Sequence, residues 1–462
     1  MSKIKTGLLP MYVKLYDDTW PEMRRRVDEF HRKIASGLQE RQLDVVNVPM
    51  CRIKPEFDAA VKKFEEDGAA AIITLHLAYS PSLESSEVLA STKLPLIVLD
   101  TTPTYEYGPL TDPGELLYNH GIHGVQDMCC MLRRNGKKFT IVCGHWENPD
   151  VLDRVAANAR AAKMAVNMRA AKVGRIGGSF EGMGDFAIPE SILHETIGIQ
   201  TVEYDSEEGR KLLESITKKE MEEEIIADRE KFQAEDIEEN VHILSIRTGL
   251  AIRKWIRNNK LTAFTANFMD IRKDTGMPCM PFLEASKAMA GGIGYAGEGD
   301  ILTAAFLGAV LSVYPQASFT EMFCPDWKNN SIFLSHMGEM NTDLAVQKPR
   351  LAEKDFPFTD AENPVAAYGR FRGGKAVFAN VAPGPENSYT LIVSDIEMLD
   401  VEGEDRMRDS IHGWFRPGTG IAEFLEAYGR HGGTHHGVLI YGDVSDELCM
   451  FGGYMGWKVI RL

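Results

Sequence analysis

The chain has 462 residues, 44% of them hydrophobic and 26% charged, with a net charge of −16. The length calls for more than one domain at roughly 150 residues each, and the composition is that of a globular protein with a core of its own. The acidic balance excludes a generic nucleic-acid surface, which needs clustered Lys and Arg. Apolar runs are broken well short of the ~20 residues a membrane span requires, and the odd count of seven cysteines has no framework spacing. No nucleic-acid partner, membrane association or secretory leader is expected, and a reducing, cytoplasmic setting is.

In chain order, apolar runs at residues 3–9, 43–48, 69–75, 94–98 and 138–143 read as strands. Amphipathic segments at Trp20–Gln42, Lys54–Asp67 and Gly114–Asn135 read as helices between them. Alternation of this kind predicts a parallel sheet covered by helices, with ligand groups on the loops after the strands. Those loops are Met11–Asp18, His76–Ser82, Thr101–Tyr107 and Gly144–Asn148. A second α/β region begins near Lys172 with VGRIGGSFEGMGDF and continues through the highly charged stretch Ser206–Asn259. Its charge run reads as a solvated helix face. From about Ala317 the runs FANVA, YTLIVSDIEML, HGVLIYG and MGWKVIRL, separated by Gly and Pro, predict a β-rich domain, a barrel or a sandwich. The predicted fold class is thus α/β: two Rossmann-like α/β domains, 1–171 and 172–315, followed by a C-terminal β-barrel domain, 316–462.

The stretch GGIGYAGEGD contains G-x-G-x-x-G at Gly292, Gly294 and Gly297. A dinucleotide loop must follow a strand, because the pyrophosphate sits where strand gives way to helix. The preceding MPFLEASKAMA has helical composition and no β-branched residue. The dinucleotide reading therefore fails, and the glycines are expected to make room for a metal and an open-chain sugar beside Glu298.

Four polar residues of the C-terminal part could carry chemistry. Taken singly each has a plain explanation: Glu298 as a helix-start carboxylate, Glu321 as a paired acid in SFTEMF, and His336 and His436 as satisfied histidines. His435 and His436 are adjacent at the start of a strand, where neighbouring side chains point to opposite faces, so at most one is expected in a given site. Taken together, two carboxylates and two imidazoles suit a divalent metal such as Mn²⁺. The carboxylates also offer the pair needed to remove a proton from one carbon and return it to the next. That is the requirement of an aldose–ketose isomerase working through a cis-enediol.

The ordered motifs AFTANFMDI, GYAGEGDILTAA, SFTEMF, LSHMGE and GGTHHGV resemble those of the L-arabinose isomerase family, within the wider L-fucose/L-arabinose isomerase group. The resemblance implies that Glu298 and Glu321 are the catalytic acid/base pair. It also implies that Glu298, Glu321, His336 and His436 bind Mn²⁺ or another divalent metal. It puts Phe268 against the substrate and Phe180 in a pocket loop where the family often has Met. Tyr79 falls at an aromatic wall position, and His123 at a polar position supplied by a neighbouring subunit. It further implies a sugar substrate and a homo-oligomer, trimer or homohexamer, with active sites between subunits.

The N-terminal pocket departs from the family. Its Gln-His-Leu-Tyr reads Val13-Lys14-Leu15-Tyr16 here, and its Asn-Gln pair reads Asn119-His120. Both lost glutamines help to hold the sugar in the family. Lys14, Leu15, Tyr16 and His120 are thus substrate-binding positions with altered chemistry, which suggests a sugar other than L-arabinose or an anionic sulfo- or phospho-sugar. The alternatives are a sugar epimerase or a catalytically inactive sugar-binding protein on the same fold.

Overall fold

Five short strands organise the N-terminal part of the chain: β1 (Ile4–Met11), β2 (Leu43–Asn47), β3 (Ile72–His76), β4 (Leu96–Asp100) and β5 (Thr140–Cys143). They form one parallel sheet in the order β2-β1-β3-β4-β5. The molecule is represented by a computed structural model that describes residues 3–235, 237–272 and 274–462. It divides into two compact units, Met1–Val166 and Asn167–Leu462. The five strands all belong to the first unit and match the apolar runs expected there.

The helices of this unit follow from spacing. Helix Lys54–Glu66 starts with Pro55 in its first turn and buries Phe57, Ala60, Val61 and Phe64, the i, i+3, i+4, i+7 face. This face meets Leu9, Ile72, Leu96 and Val98 of the sheet in one hydrophobic core. Each large apolar side chain buried this way contributes roughly 1.5–3 kcal/mol. Because the strands are parallel, the loops after β1, β3 and β4 collect at one edge of the sheet.

The second unit contains a parallel sheet and an antiparallel one. Strands β6 (Lys172–Ile176), β7 (Gln200–Glu203), β8 (Ala263–Ala266) and β9 (Gly294–Gly297) form a parallel sheet in the order β7-β6-β8-β9. Next come β10 (Ala317–Asp326), β11 (Ser331–His336), β12 (Arg350–Glu353), β13 (Val365–Tyr368), β14 (Gly374–Pro383), β15 (Tyr389–Met398), β16 (Ile411–Pro417), β17 (His436–Tyr441) and β18 (Lys458–Arg461). Six of these close on themselves in the order β14-β17-β10-β11-β16-β15, with β15 pairing back to β14. Strand β18 adds to β15 in parallel, and β12 and β13 form a separate pair. Closure removes exposed sheet edges, the usual solution for an antiparallel domain of this size. The expected α/β class and the C-terminal barrel both describe the chain at this level.

Three features differ from expectation. Strand β9 lies inside the glycine-rich stretch itself, where its composition hides β character, between the anticipated helix Phe282–Ala290 and a second helix, Ile301–Leu311. Two helices, Ile421–Arg430 and Ser445–Met455, punctuate the β-rich part. The first packs Phe424 and Tyr428 into the core formed by Leu334, Phe378, Phe415 and Leu439. The charge run 206–259 forms three helices, Ser206–Glu214, Lys218–Lys231 and Glu239–Asn259, the middle one opened by a Thr217–Glu220 capping box. Its face is not solvated throughout. Glu224 accepts from Arg253 Nη1 at 2.8 Å and Lys287 Nζ at 2.7 Å, while buried Asp228 pairs with Lys287 and with His242 Nε2 at 2.9 Å.

Candidate active site

Glu298 follows β9 directly, and its backbone is set by three hydrogen bonds. Its N–H donates to Ala266 O at 2.9 Å, its carbonyl accepts from Phe180 N at 2.9 Å, and Gly299 N donates to Thr265 Oγ1 at 3.0 Å. Glu298 has φ of +61°, a left-handed conformation rare outside glycine, and such outliers concentrate at functional sites. The flanking glycines serve neighbours rather than a sugar, contrary to expectation. A Cβ on Gly297 would lie 2.6 Å from the His336 ring, and one on Gly299 would lie 2.4 Å from the carbonyl of Gly178. Asp300 caps the next helix through Thr303 N at 2.9 Å, as anticipated. Its second oxygen lies 2.9 Å from His436 Nδ1, which was not.

The barrel supplies the other groups by register. Glu321 on β10 lies directly opposite His436 on β17 and Ser335 on β11, and His336 ends β11. Phe319, two residues before Glu321, places its ring edge-on to both His336 and His436, at 4.6 and 4.9 Å between centroids. Phe186 stacks on His436 at 5.0 Å. Glu298, His336 and His436 are buried, at 8%, 6% and 0% exposure. The expectation that only one of His435 and His436 could join the site is corrected. Strand β17 starts at His436, so strand alternation does not govern His435, and both Nε2 atoms lie 3.6 Å from Glu298 Oε2.

Each of the three imidazoles is held from behind by a carboxylate. His336 Nδ1 lies 2.8 Å from Glu339 Oε2, His436 Nδ1 2.9 Å from Asp300 Oδ2, and His435 Nδ1 2.6 Å from Asp185 Oδ2. Tyr295 Oη donates to the other Glu339 oxygen at 2.6 Å. An ionised carboxylate only accepts, so each Nδ1 carries the proton and each Nε2 is left for the site. Asp185, Asp300 and Glu339 lay outside the candidate set, since a carboxylate behind a ligand has no sequence signature beyond its spacing. Asp300 and Glu339 sit two and three residues after Glu298 and His336, which could have suggested them.

The electrostatics separate the two candidate acids. For Glu298, burial pushes its pKa up, but the imidazoles of His435, His436 and His336 outweigh it and hold the carboxyl far below its ordinary range. For Glu321, burial prevails over the same imidazoles, aided by the Glu298 charge, and the carboxyl is raised. His436 loses charge stability to burial, yet Asp300 and Glu298 raise it to about 9. Carboxylates driven in opposite directions are the arrangement expected of an acid and a base that share a site.

The donor set fits a divalent cation. Among the described residues two groups could hold a metal ion, Glu298–His435–His436 and Glu321–His336–His436, each with its ligand atoms within 4.8 Å of one another. They share His436, whose Nε2 is buried without a hydrogen-bond partner. Carboxylate backing of metal-binding histidines is the usual outer-shell arrangement, and the absence of thiolate from both groups suits Mn²⁺, Mg²⁺ or Zn²⁺ over thiophilic ions.

The remaining predicted residues fall in two places. Phe180 follows β6, and its ring meets Phe268 at 5.4 Å. Phe268 is 7% exposed and packs on Phe356 and Phe358. In the first unit, Tyr16, Tyr79, His120 and His123 form a cluster at the loop edge of the sheet. Tyr16 Oη lies 2.8 Å from His120 Nε2, and Tyr79 contacts the His123 ring at 4.6 Å and the His120 ring at 6.5 Å. Leu15 is exposed, and Lys14 pairs with Asp18 at 2.7 Å. Burial holds His120 below the ordinary imidazole range, toward its neutral form.

Comparison with known proteins gives one family throughout. Residues 194–314 match the family profile of the L-arabinose isomerase central domain, and residues 316–458 that of the L-arabinose isomerase C-terminal domain. The L-arabinose isomerase of Geobacillus thermodenitrificans is 25% identical over 465 residues, 95% of this chain and 91% of that protein. That of Halalkalibacterium halodurans is 25% identical over 83% of this chain and 78% of the relative. That of Shouchella clausii is 23% identical over 98% and 93%. With both family domains in sequence and likeness along nearly its whole length, the chain belongs to the L-arabinose isomerase family of aldose–ketose isomerases.

Proposed function

We propose that the protein is a divalent-metal-dependent, Mn²⁺-supported sugar isomerase that interconverts an aldose and a ketose. The observation that carries this reading is the pairing of Glu298, driven toward its ionised form, with Glu321, driven toward its protonated form, beside the same buried imidazoles. Glu298, Glu321, His336 and His436 are the residues that would hold the cation. A bound divalent cation supplies Lewis-acid stabilisation of the negative charge that develops on the two substrate oxygens.

The chain's own groups account for the proton movements. Glu298, as the carboxylate, takes the C2 proton of the open-chain aldose, and the C2–H electron pair forms the C1=C2 bond of a cis-enediol as the carbonyl oxygen gains a proton. Glu321, as the carboxylic acid, delivers a proton to C1 while the O2 proton leaves and the C2 carbonyl forms. Burial around both groups excludes water that would otherwise exchange or misdirect these protons. Asp300 and Glu339 keep His436 and His336 in the tautomer that presents Nε2 to the site.

The second unit is read as two domains, 172–315 and 316–462, because its parallel sheet and its barrel are separate sheets. Lys14, Leu15, Tyr16, Tyr79, His120 and His123 are read as the sugar-binding cluster that one copy presents to another in a homo-oligomer. Exposed Leu15, Leu83, Leu110 and Ile122 on the same unit support such a contact. The pairing of Lys14 with Asp18 and the neutral tendency of His120 favour a neutral sugar over an anionic one. A panel of neutral and anionic aldoses, assayed for ketose with Mn²⁺, tests both points. Ketose from a neutral aldose is expected, and ketose only from sulfo- or phospho-sugars would overturn the substrate assignment.

A further inference from the structure

The cation-binding reading above leaves His435 without a role, although its geometry repeats that of the other two histidines. Its Nδ1 lies 2.6 Å from Asp185 Oδ2, and its backbone N–H donates to the same oxygen at 3.1 Å. The ring proton is therefore committed to Asp185, and Nε2 turns its lone pair toward Glu298 Oε2, 3.6 Å away. His436 does the same from the other side, with Asp300 on Nδ1 and Nε2 also 3.6 Å from Glu298 Oε2. Two imidazole lone pairs aimed at one carboxylate oxygen repel it unless a positive charge lies among the three atoms. The separation is too long for a hydrogen bond. It is close to the ~3.4 Å edge of a tetrahedron of ligands about 2.1 Å from a divalent ion.

Contacts around His435 point the same way. The His435 and His436 rings are 4.3 Å apart, and Phe186, the residue after Asp185, flanks both at 5.5 and 5.0 Å. The loop after β6 thus places one carboxylate behind His435 and one aromatic wall beside the pair. A merely structural Asp–His contact needs only Nδ1 and leaves the direction of Nε2 open.

We propose that His435 is a third imidazole ligand of the divalent cation, with Asp185 as the positioning residue that fixes its tautomer and direction. This rests on the cation-binding reading of the site, and it adds a ligand to the set Glu298, Glu321, His336 and His436.

The test uses the full-length protein stripped with a chelator and titrated with Mn²⁺, reading free Mn²⁺ by electron paramagnetic resonance. Pulsed measurement of the bound ion counts coordinated imidazole nitrogens. The wild type is expected to show three, His435→Gln two, and Asp185→Asn is expected to weaken Mn²⁺ binding about 10–100-fold, with partial recovery in Asp185→Glu. A count of two in the wild type, with His435→Gln binding Mn²⁺ within twofold, overturns the proposal. In that outcome His436→Gln still weakening Mn²⁺ leaves the cation-binding reading intact. A wild type that binds no Mn²⁺ overturns both. The imidazole count on unaltered protein keeps the result independent of whether any variant folds.

Discussion

Histidines are used in two different ways in this molecule. In the second unit His336, His435 and His436 each have a carboxylate on Nδ1, aromatic rings against their faces, and Nε2 directed at Glu298 and Glu321. In the first unit His120 and His123 have no carboxylate behind them among their described hydrogen bonds. They rest on Tyr16 and Tyr79 beside exposed side chains. The difference separates chemistry from recognition. A proton relay or metal site needs fixed tautomers and orientations, so each ring is over-determined. A sugar-contacting surface needs shape and adjustable hydrogen bonds, so its rings are held mainly by stacking.

Variants sharpen this contrast, beginning with the largest effect. Glu298→Gln and Glu321→Gln should each lower kcat by about 10²–10⁴-fold, the usual loss for a general acid or base, with little change in thermal stability. Retained turnover in either variant would remove that residue from the proton path. Asp300→Asn should leave the cluster assembled but loosen His436, weakening Mn²⁺ binding by about 10–100-fold. Calorimetric titration of the stripped protein reads this directly.

The first unit carries a pH-dependent liability of its own. His76, at the end of β3, is buried with both ring nitrogens unpartnered, and burial lowers its pKa from 6.5 to about 3. The unfolded chain takes up a proton below pH 6.5 that the folded chain refuses until about pH 3. Stability is therefore fully present above pH 6.5 and is lost as pH falls through that window. The loss is about 3 kcal/mol at pH 4. Denaturant melts of the His76→Gln variant should show a flatter acid limb. An unchanged limb would mean that other groups dominate acid sensitivity.

The smallest effects belong to the recognition cluster. Lys14→Gln and His120→Gln should shift KM several-fold with kcat held within about twofold, since these groups are read as contacting sugar away from the reacting carbons. A kcat loss matching that of Glu298→Gln would erase the distinction between the two regions.

Much of the fold was legible because the first sheet is fully buried and its strands read as unbroken apolar runs, such as AAAIITL and LPLIV. Strand β9 was not, since four residues of GYAG carry little β-propensity and owe their conformation to pairing with β8. The helix Ile421–Arg430 was missed in a region scanned for strands, although its apolar face is clear. At the site, Glu298, Glu321, His336 and His436 stood out as polar residues in apolar or Gly-rich runs. Asp185 is 250 residues from His435, and only the fold brings them together.

The central claim is cation-dependent proton transfer at Glu298 and Glu321, and it is tested most directly by turnover in D₂O. Chelator-stripped protein should form no ketose from any aldose in a neutral panel. Mn²⁺ should restore turnover and place solvent deuterium on the ketose C1, and both Gln variants should lose that signal. Ketose formed at the same rate by fully stripped protein, or by Glu298→Gln, would contradict the account.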